Sequence, residues 1–100
     1  MSESEHLVGP VIRGMDQGIA EALIEAIERD NPSARVRVED RGGYVRIGCP
    51  GRCVVTRRSL EDVLGETVRL AELEPALAGF AGRMRFDGDE AIVWYLERED

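Results

Sequence analysis

The side chains best suited to chemistry here are two cysteines, Cys49 and Cys53, which bracket Pro50-Gly51-Arg52. A thioredoxin-type redox pair is spaced C-x-x-C, one residue closer. Two thiolates alone do not close a structural zinc site. The Pro-Gly between them is a turn signal, so the pair is expected to flank a hairpin loop. A disulfide across that loop is geometrically conceivable, but a reducing compartment would keep two small, inert thiols. The one histidine, His6, falls in a polar N-terminal stretch, where nothing holds it for metal binding or for a Ser-His-Asp arrangement. Glu39 and Asp40 are adjacent in a strand pattern and so project to opposite faces, a poor carboxylate dyad. All 13 basic residues are arginine, which removes lysine-based Schiff-base and general-base chemistry. No GxxxxGK[ST] loop or strand-linked GxGxxG occurs. The chain is not equipped for catalysis of its own.

The elements that would position these residues follow from the pattern of the 100-residue chain, a length that suits one domain. A net charge of −7 argues against nucleic acid or an anionic membrane as partner. No apolar run is long enough to span a bilayer, and the acidic N-terminus is not a secretory signal, so the chain reads as cytoplasmic. Residues 1–7 read as a mobile tail and 8–100 as the domain. Val8–Arg13 is β-branched around Pro10, which predicts an edge strand. Asp16 suits the N-cap of a helix over 17–29, with Ile19, Leu23, Ile24 and Ile27 on its apolar face, and Asn31-Pro32-Ser33 stops it. Arg35–Glu39 and Tyr44–Ile47 alternate about the turn Asp40–Gly43, predicting a hairpin with Val36, Val38, Val45 and Ile47 on one buried side. Cys53–Thr56 follows as a third strand. Ser59 opens a short helix that Gly65 closes, and Val68–Leu77 makes a second helical stretch around Pro75. Phe80–Phe86 and Ala91–Leu96 flank Asp87–Glu90 as a C-terminal hairpin. The fold class is α+β, with mostly antiparallel strands in the order β-α-βββ-α-α-ββ and helices packed against the sheet.

Two local features stand apart from that pattern. Residues 34–58 hold seven arginines against two acids, readable as solvated strand faces or as a basic patch for an acidic partner. Ala78, Gly79, Ala81 and Gly82 are small residues inside an expected strand. They suit either close packing on the chain's own helix or a flat surface open to a partner.

The run Val36-Arg-Val-Glu-Asp-Arg-Gly-Gly-Tyr-Val-Arg-Ile47 resembles the V-x-V-E-D-R-x-x-Y-x-x-I signature of the effector, or coupling, proteins of soluble diiron monooxygenases. Val8–Arg13, Asp30-Asn31-Pro32, Leu60-Glu61 with Leu64-Gly65, and Leu73-Glu74 leading to Ala78–Gly82 are similar to further segments of that family in the same order. The toluene and alkene monooxygenase effectors are the nearest subgroup. The resemblance implies a cofactor-free, non-enzymatic domain that docks on a diiron hydroxylase and couples oxygen activation to hydrocarbon oxidation. It also implies a docking surface shared with the ferredoxin. Carried onto this chain, partner contacts fall on Asn31, Tyr44, Arg46, Ala78, Gly79, Phe80 and Gly82. Val38, Glu39, Asp40, Arg41 and Gly43 form an architectural motif, with Asp40 and Arg41 organising the turn and Gly42 and Gly43 supplying positive φ. A rival reading of another class is a regulatory domain that binds a small molecule in an apolar pocket between helix and sheet.

Overall fold

The computed structural model describes residues 6–14 and 17–96. At its centre is β1 (Leu7–Arg13), paired antiparallel with β3 (Tyr44–Pro50) on one side and β5 (Leu77–Ala81) on the other. Adding β2 (Arg37–Asp40) beside β3 gives a first sheet ordered β2-β3-β1-β5. A second sheet, ordered β4-β7-β6, contains β4 (Arg52–Thr56), β6 (Arg83–Asp87) and β7 (Ala91–Tyr95). Helices α1 (Gln17–Asp30) and α2 (Arg57–Leu64) and a 3-10 helix over Leu70–Ala76 complete the α+β domain. Asp16 and residues 1–5 lie outside the described residues. Leu7, placed in the tail by sequence, already pairs with Pro50.

The first strand is central, not at an edge. Pro10 has no N–H to give, and the β3 ladder skips it: Val8 pairs with Cys49, and pairing resumes at Val11 with Arg46. Gly9 lets the two backbones close up over that gap, since a Cβ there would stand 2.1 Å from the Ile47 carbonyl oxygen. The edge falls to β2 instead. Val38 shares a register pair with Ile47, yet it is 44% exposed because nothing flanks β2 on its far side.

Two corners replace two expected hairpin strands. At Pro50-Gly51 the chain leaves the first sheet, and the Gly51 N–H donates to the His6 carbonyl at 2.9 Å. So β4 pairs with β7 rather than extending a β2-β3 meander. At Gly82, φ 87°, the expected strand Phe80–Phe86 breaks into β5 and β6 in different sheets. Alternation of apolar residues says which face a residue takes but not which sheet its strand joins. Strands that switch sheets at such bends close one core from two sheets.

The helices form largely where the pattern places them. Leu23 and Ile27 of α1 are buried with Ala20 and Ala26, and Ile19 and Ile24 pack at the margin of the same core. Thr56 caps α2, its hydroxyl accepting from the Ser59 N–H at 3.1 Å, and Gly65 closes it. Arg57 ties α2 to the β6–β7 turn, donating to the Asp89 carbonyl at 2.8 Å and to Glu61 and Glu90 carboxylates at 3.2 Å. With Pro75 inside it, the second helical stretch is 3-10 rather than α, and it buries Leu70 and Leu73.

The outer edge of β4 would present unpaired backbone, and the end of α1 covers it. The Asn31 carboxamide donates to the Ile27 carbonyl at 2.7 Å and the Val54 carbonyl at 2.8 Å, and accepts from the Val54 N–H at 3.2 Å. Asp30 accepts from the Thr56 N–H at 2.8 Å and the Ser59 hydroxyl at 2.7 Å. An amide side chain thus stands in for a neighbouring strand. Asn31→Ala should lower unfolding stability by about 2 kcal/mol, because it strands partly buried backbone groups. Urea denaturation should show a lower midpoint with an unchanged slope; an unmoved midpoint would refute the role.

Candidate partner-docking face

Strand alternation gives the first sheet two unlike sides. Val8, Pro10 and Ile12 of β1 and Val45, Ile47 and Cys49 of β3 point into the core. By register, the other side presents Gly9, Val11 and Arg13 from β1, and Tyr44, Arg46 and Gly48 from β3. It adds Arg37 and Glu39 from β2, and Gly79 and Ala81 from β5. Two rows cross the strands: Arg37, Gly48, Gly9, Ala81, and beside it Glu39, Arg46, Val11, Gly79. Small residues make the floor, and exposed charged side chains make one rim. A groove of about 350 Å³ lies over one part of this face, with Leu7, Arg37, Glu39, Arg46, Gly48 and Ala81 among its lining.

The hairpin turn sets that rim. The Asp40 carboxylate accepts from the Gly42 N–H at 2.9 Å, as the motif implied. Gly42 alone takes positive φ, 81°, and Gly43 does not. The Gly43 carbonyl instead accepts from the Gly14 N–H at 2.9 Å, pinning the turn to the end of β1. Arg41 makes no turn contact with its side chain. It donates from Nε to Glu39 at 3.0 Å, and that hydrogen bond with the attraction of the same carboxylate holds its pKa above the usual arginine value. Past the turn, the Arg46 guanidinium lies 5.9 Å from the Tyr44 ring centroid, so the two present a joined aromatic and cationic surface.

The small-residue stretch splits into separate roles. At Gly79 nothing lies within 4 Å of where a Cβ would stand, so the fold itself has no use for a glycine there. Packing on the chain's own helix does not account for it. Ala78 is the extra residue of a bulge, since Gly79 pairs with Val11 while Leu77 pairs with Ile12. Phe80 pairs with Pro10 and points to the opposite side of β5 from Gly79, 44% exposed. Gly82 belongs to the corner, where a Cβ would meet the Tyr95 carbonyl at 2.6 Å. Asn31 is likewise engaged inside the chain. Of the residues carried over as partner contacts, Tyr44, Arg46 and Gly79 therefore share one open face. Sequence reasoning missed Gly9, Gly48, Val11 and Arg37 on that face; their signal was the alternation partner of each buried strand position.

The described residues offer nothing else that resembles a reaction centre. No group of three His, Cys, Asp or Glu among them is placed to hold a metal ion. Two further hollows lie at the surface, beside Asn31–Arg35 and between Arg69 and Asp89, and neither separates α1 from the sheets.

The profile of the MmoB/DmpM family matches residues 6–95. The chain belongs to that family. Over 93 residues it is 45% identical to the effector subunit of the alkene monooxygenase system of Xanthobacter autotrophicus (strain ATCC BAA-1158 / Py2), covering 93% of this chain and 89% of the relative. A chain from the structure of a phenol hydroxylase–regulatory protein complex superposes with a TM-score of 0.71 at 26% identity, covering 89% of this chain and 98% of that one. A second structure of such a complex, at 24% identity and a TM-score of 0.70, shares the fold over 91% of this chain and 98% of that one. As an MmoB/DmpM protein, the chain keeps an open face on its first sheet that its own core does not require.

Because Gly79 has open space around it, Gly79→Arg should fold normally and melt within about 2 °C of the wild type. Gly9→Ala should fail to fold, because its Cβ collides with backbone. Circular dichroism melts compare the two; a collapsed Gly79→Arg would remove the distinction between floor residues drawn above.

Proposed function

We propose that this MmoB/DmpM protein is the effector of a multicomponent monooxygenase. It binds the diiron hydroxylase component with the outer face of its first sheet. Binding remodels the hydroxylase active site and couples electron transfer and O2 activation to oxidation of an aromatic or alkene hydrocarbon. The protein contributes no cofactor and no catalytic group. The observation that carries this reading is 45% identity along nearly the whole chain to an alkene monooxygenase effector subunit. A glycine with open space around it, Gly79 on the edge strand β5 of that face, supports the site.

The mechanism is differential binding. An effector changes the hydroxylase only by holding one of its conformations more tightly than another. A coupling of about 1–3 kcal/mol shifts populations five- to 150-fold. A standard interface of about 800 Å² per partner would take about an eighth of the protein's 6047 Å² surface. Small floor residues let a partner element come close to the sheet backbone, and Tyr44 and Arg46 are residue types that commonly anchor interfaces. The ferredoxin that delivers electrons competes for the same hydroxylase surface.

Titration of the protein into purified hydroxylase, with reductase and ferredoxin present, should raise product formed per NADH consumed. The effect should saturate near one effector per active site and reverse at excess, when the ferredoxin is displaced. Gly79→Arg should abolish stimulation, and Tyr44→Ala should weaken the half-saturating concentration by about tenfold. Unchanged rate, coupling and product distribution at every ratio would refute the function. Full stimulation by Gly79→Arg at wild-type concentrations would refute the site while leaving the function standing.

A further inference from the structure

The arginine-rich run of residues 34–58 does not stay together in the fold. Arg37 and Arg46 join the outer side of the first sheet, whereas Arg52 opens β4 in the second. There it meets arginines from beyond the run. Cys53, Trp94 and Met84 turn toward the core, so Arg52, Tyr95 and Arg83 form the next row, on the outward side of that sheet. Arg85 stands one row further along, its guanidinium 5.4 Å from the Tyr95 ring centroid and its Nε donating to Asp87 at 3.1 Å. The three arginines are exposed, and Tyr95 is half-buried between them. Asp87 is the one acid on the outward side of these three strands, in a chain whose net charge is −7. Acids gather elsewhere, with Glu21, Glu25 and Glu28 exposed along α1. The basic row also adjoins the docking face. Strand β5 runs into β6 through Gly82 alone, so Ala81 of the groove lining and Arg83 are at most about 7 Å apart along the chain.

We propose that the row Arg52, Tyr95 and Arg83, with Arg85 beside it, receives a carboxylate-rich segment of the hydroxylase component. The docking surface thereby continues around the Gly82 corner onto the second sheet. This inference rests on the effector reading above and names the chemistry of the partner at this part of the surface. Like charges gathered at one place repel each other, and an acidic counterpart relieves that repulsion. The charge of the whole chain opposes nucleic acid and anionic membranes, which leaves an acidic protein surface as the occupant. Guanidinium groups bind carboxylates through paired N–H donors, and Tyr95 adds an aromatic body against which Arg85 rests. Exposed charges act over a Debye length of about 8–10 Å at ordinary ionic strength. They set encounter rate and orientation more than tightness. The row steers the effector into register on the hydroxylase, and the first-sheet face makes the contacts that change it.

The test is the effector titration repeated at several salt concentrations with Arg52→Gln and Arg83→Gln combined. At low salt the double variant should need about tenfold more protein for half-saturation. Its half-saturating concentration should respond less to added salt than that of the wild type, and stimulation at saturation should be the same. Glu21→Gln with Glu28→Gln changes the net charge equally from the exposed side of α1 and should not weaken binding. A double arginine variant with wild-type half-saturation and salt response would overturn the proposal, as would equal weakening by the glutamate pair. Where wild type itself fails to stimulate at any ratio, the effector reading falls and this inference with it; an indifferent arginine variant beside a stimulating wild type removes this row alone. A second measurement needs no variant to fold. Phenylglyoxal labelling of the wild-type protein, read by mass spectrometry, should fall at Arg52 and Arg83 when hydroxylase is added. Arg58, exposed on α2 beyond the other end of β4, serves as the reference. Undiminished labelling of Arg52 and Arg83 in the complex would overturn the proposal by itself.

Discussion

Pro10 takes a backbone donor out of the strand on which both neighbours of the first sheet depend, and the residue before it makes that loss tolerable. Without a side chain at Gly9, β1 and β3 close to a separation that no Cβ would allow. The ladder then resumes in the same register from Val11 to Arg13. That register decides which residues β1 turns toward the core and which toward solvent. A slip of one residue would bury Arg13 and expose Ile12. The outer face, the rim at Tyr44 and Arg46, and the inward direction of Cys49 all inherit their geometry from this repair.

Seven short strands would ordinarily leave many unpaired edges, and the fold limits them by different means. Its two corners let β3 and β5 run on into β4 and β6, so that one core is walled by two sheets. On β4 the edge is met by side chains from the end of α1, which supply the hydrogen bonds a strand would have given. The edge of β2 is short and charged, Arg37, Glu39 and Asp40 surrounding the single apolar Val38. On β5 the bulge at Ala78 interrupts a flat run of backbone. Each device uses few residues, which suits a chain of 100.

Much of this was legible in the residues. The 3.6-residue spacing of Ile19, Leu23 and Ile27 located α1, the alternation about Asp40–Gly43 located the β2–β3 hairpin, and Gly65 marked the end of α2. Strand positions within sheets were not legible, because a period of two carries no information about which strand lies alongside. The rule that proline marks an edge failed at Pro10, since the compensating glycine precedes it and looks like any other loop residue. The same limit held for the candidate site. Resemblance pointed to Ala78, Gly79, Phe80 and Gly82 as one stretch, but bulge, pleat and corner send them in different directions. Asn31 reads like a surface residue after a helix, and only the position of β4 reveals its internal partners.

The outer face of the first sheet divides into positions that folding constrains and positions that it leaves open. Gly9 admits no side chain, and a Cβ at Gly48 would press on Leu7 at 3.1 Å. Gly9 is closed to variation whatever partner is bound, and Gly48 accepts a side chain only where Leu7 gives way by a few tenths of an ångström. Gly79 has open space around it, and Tyr44 and Arg46 are exposed on the same face. A lineage that changed partners would therefore keep the trough and rewrite its margin. On the proposed docking face, selectivity would be adjusted at the rim, at little risk to the core beneath.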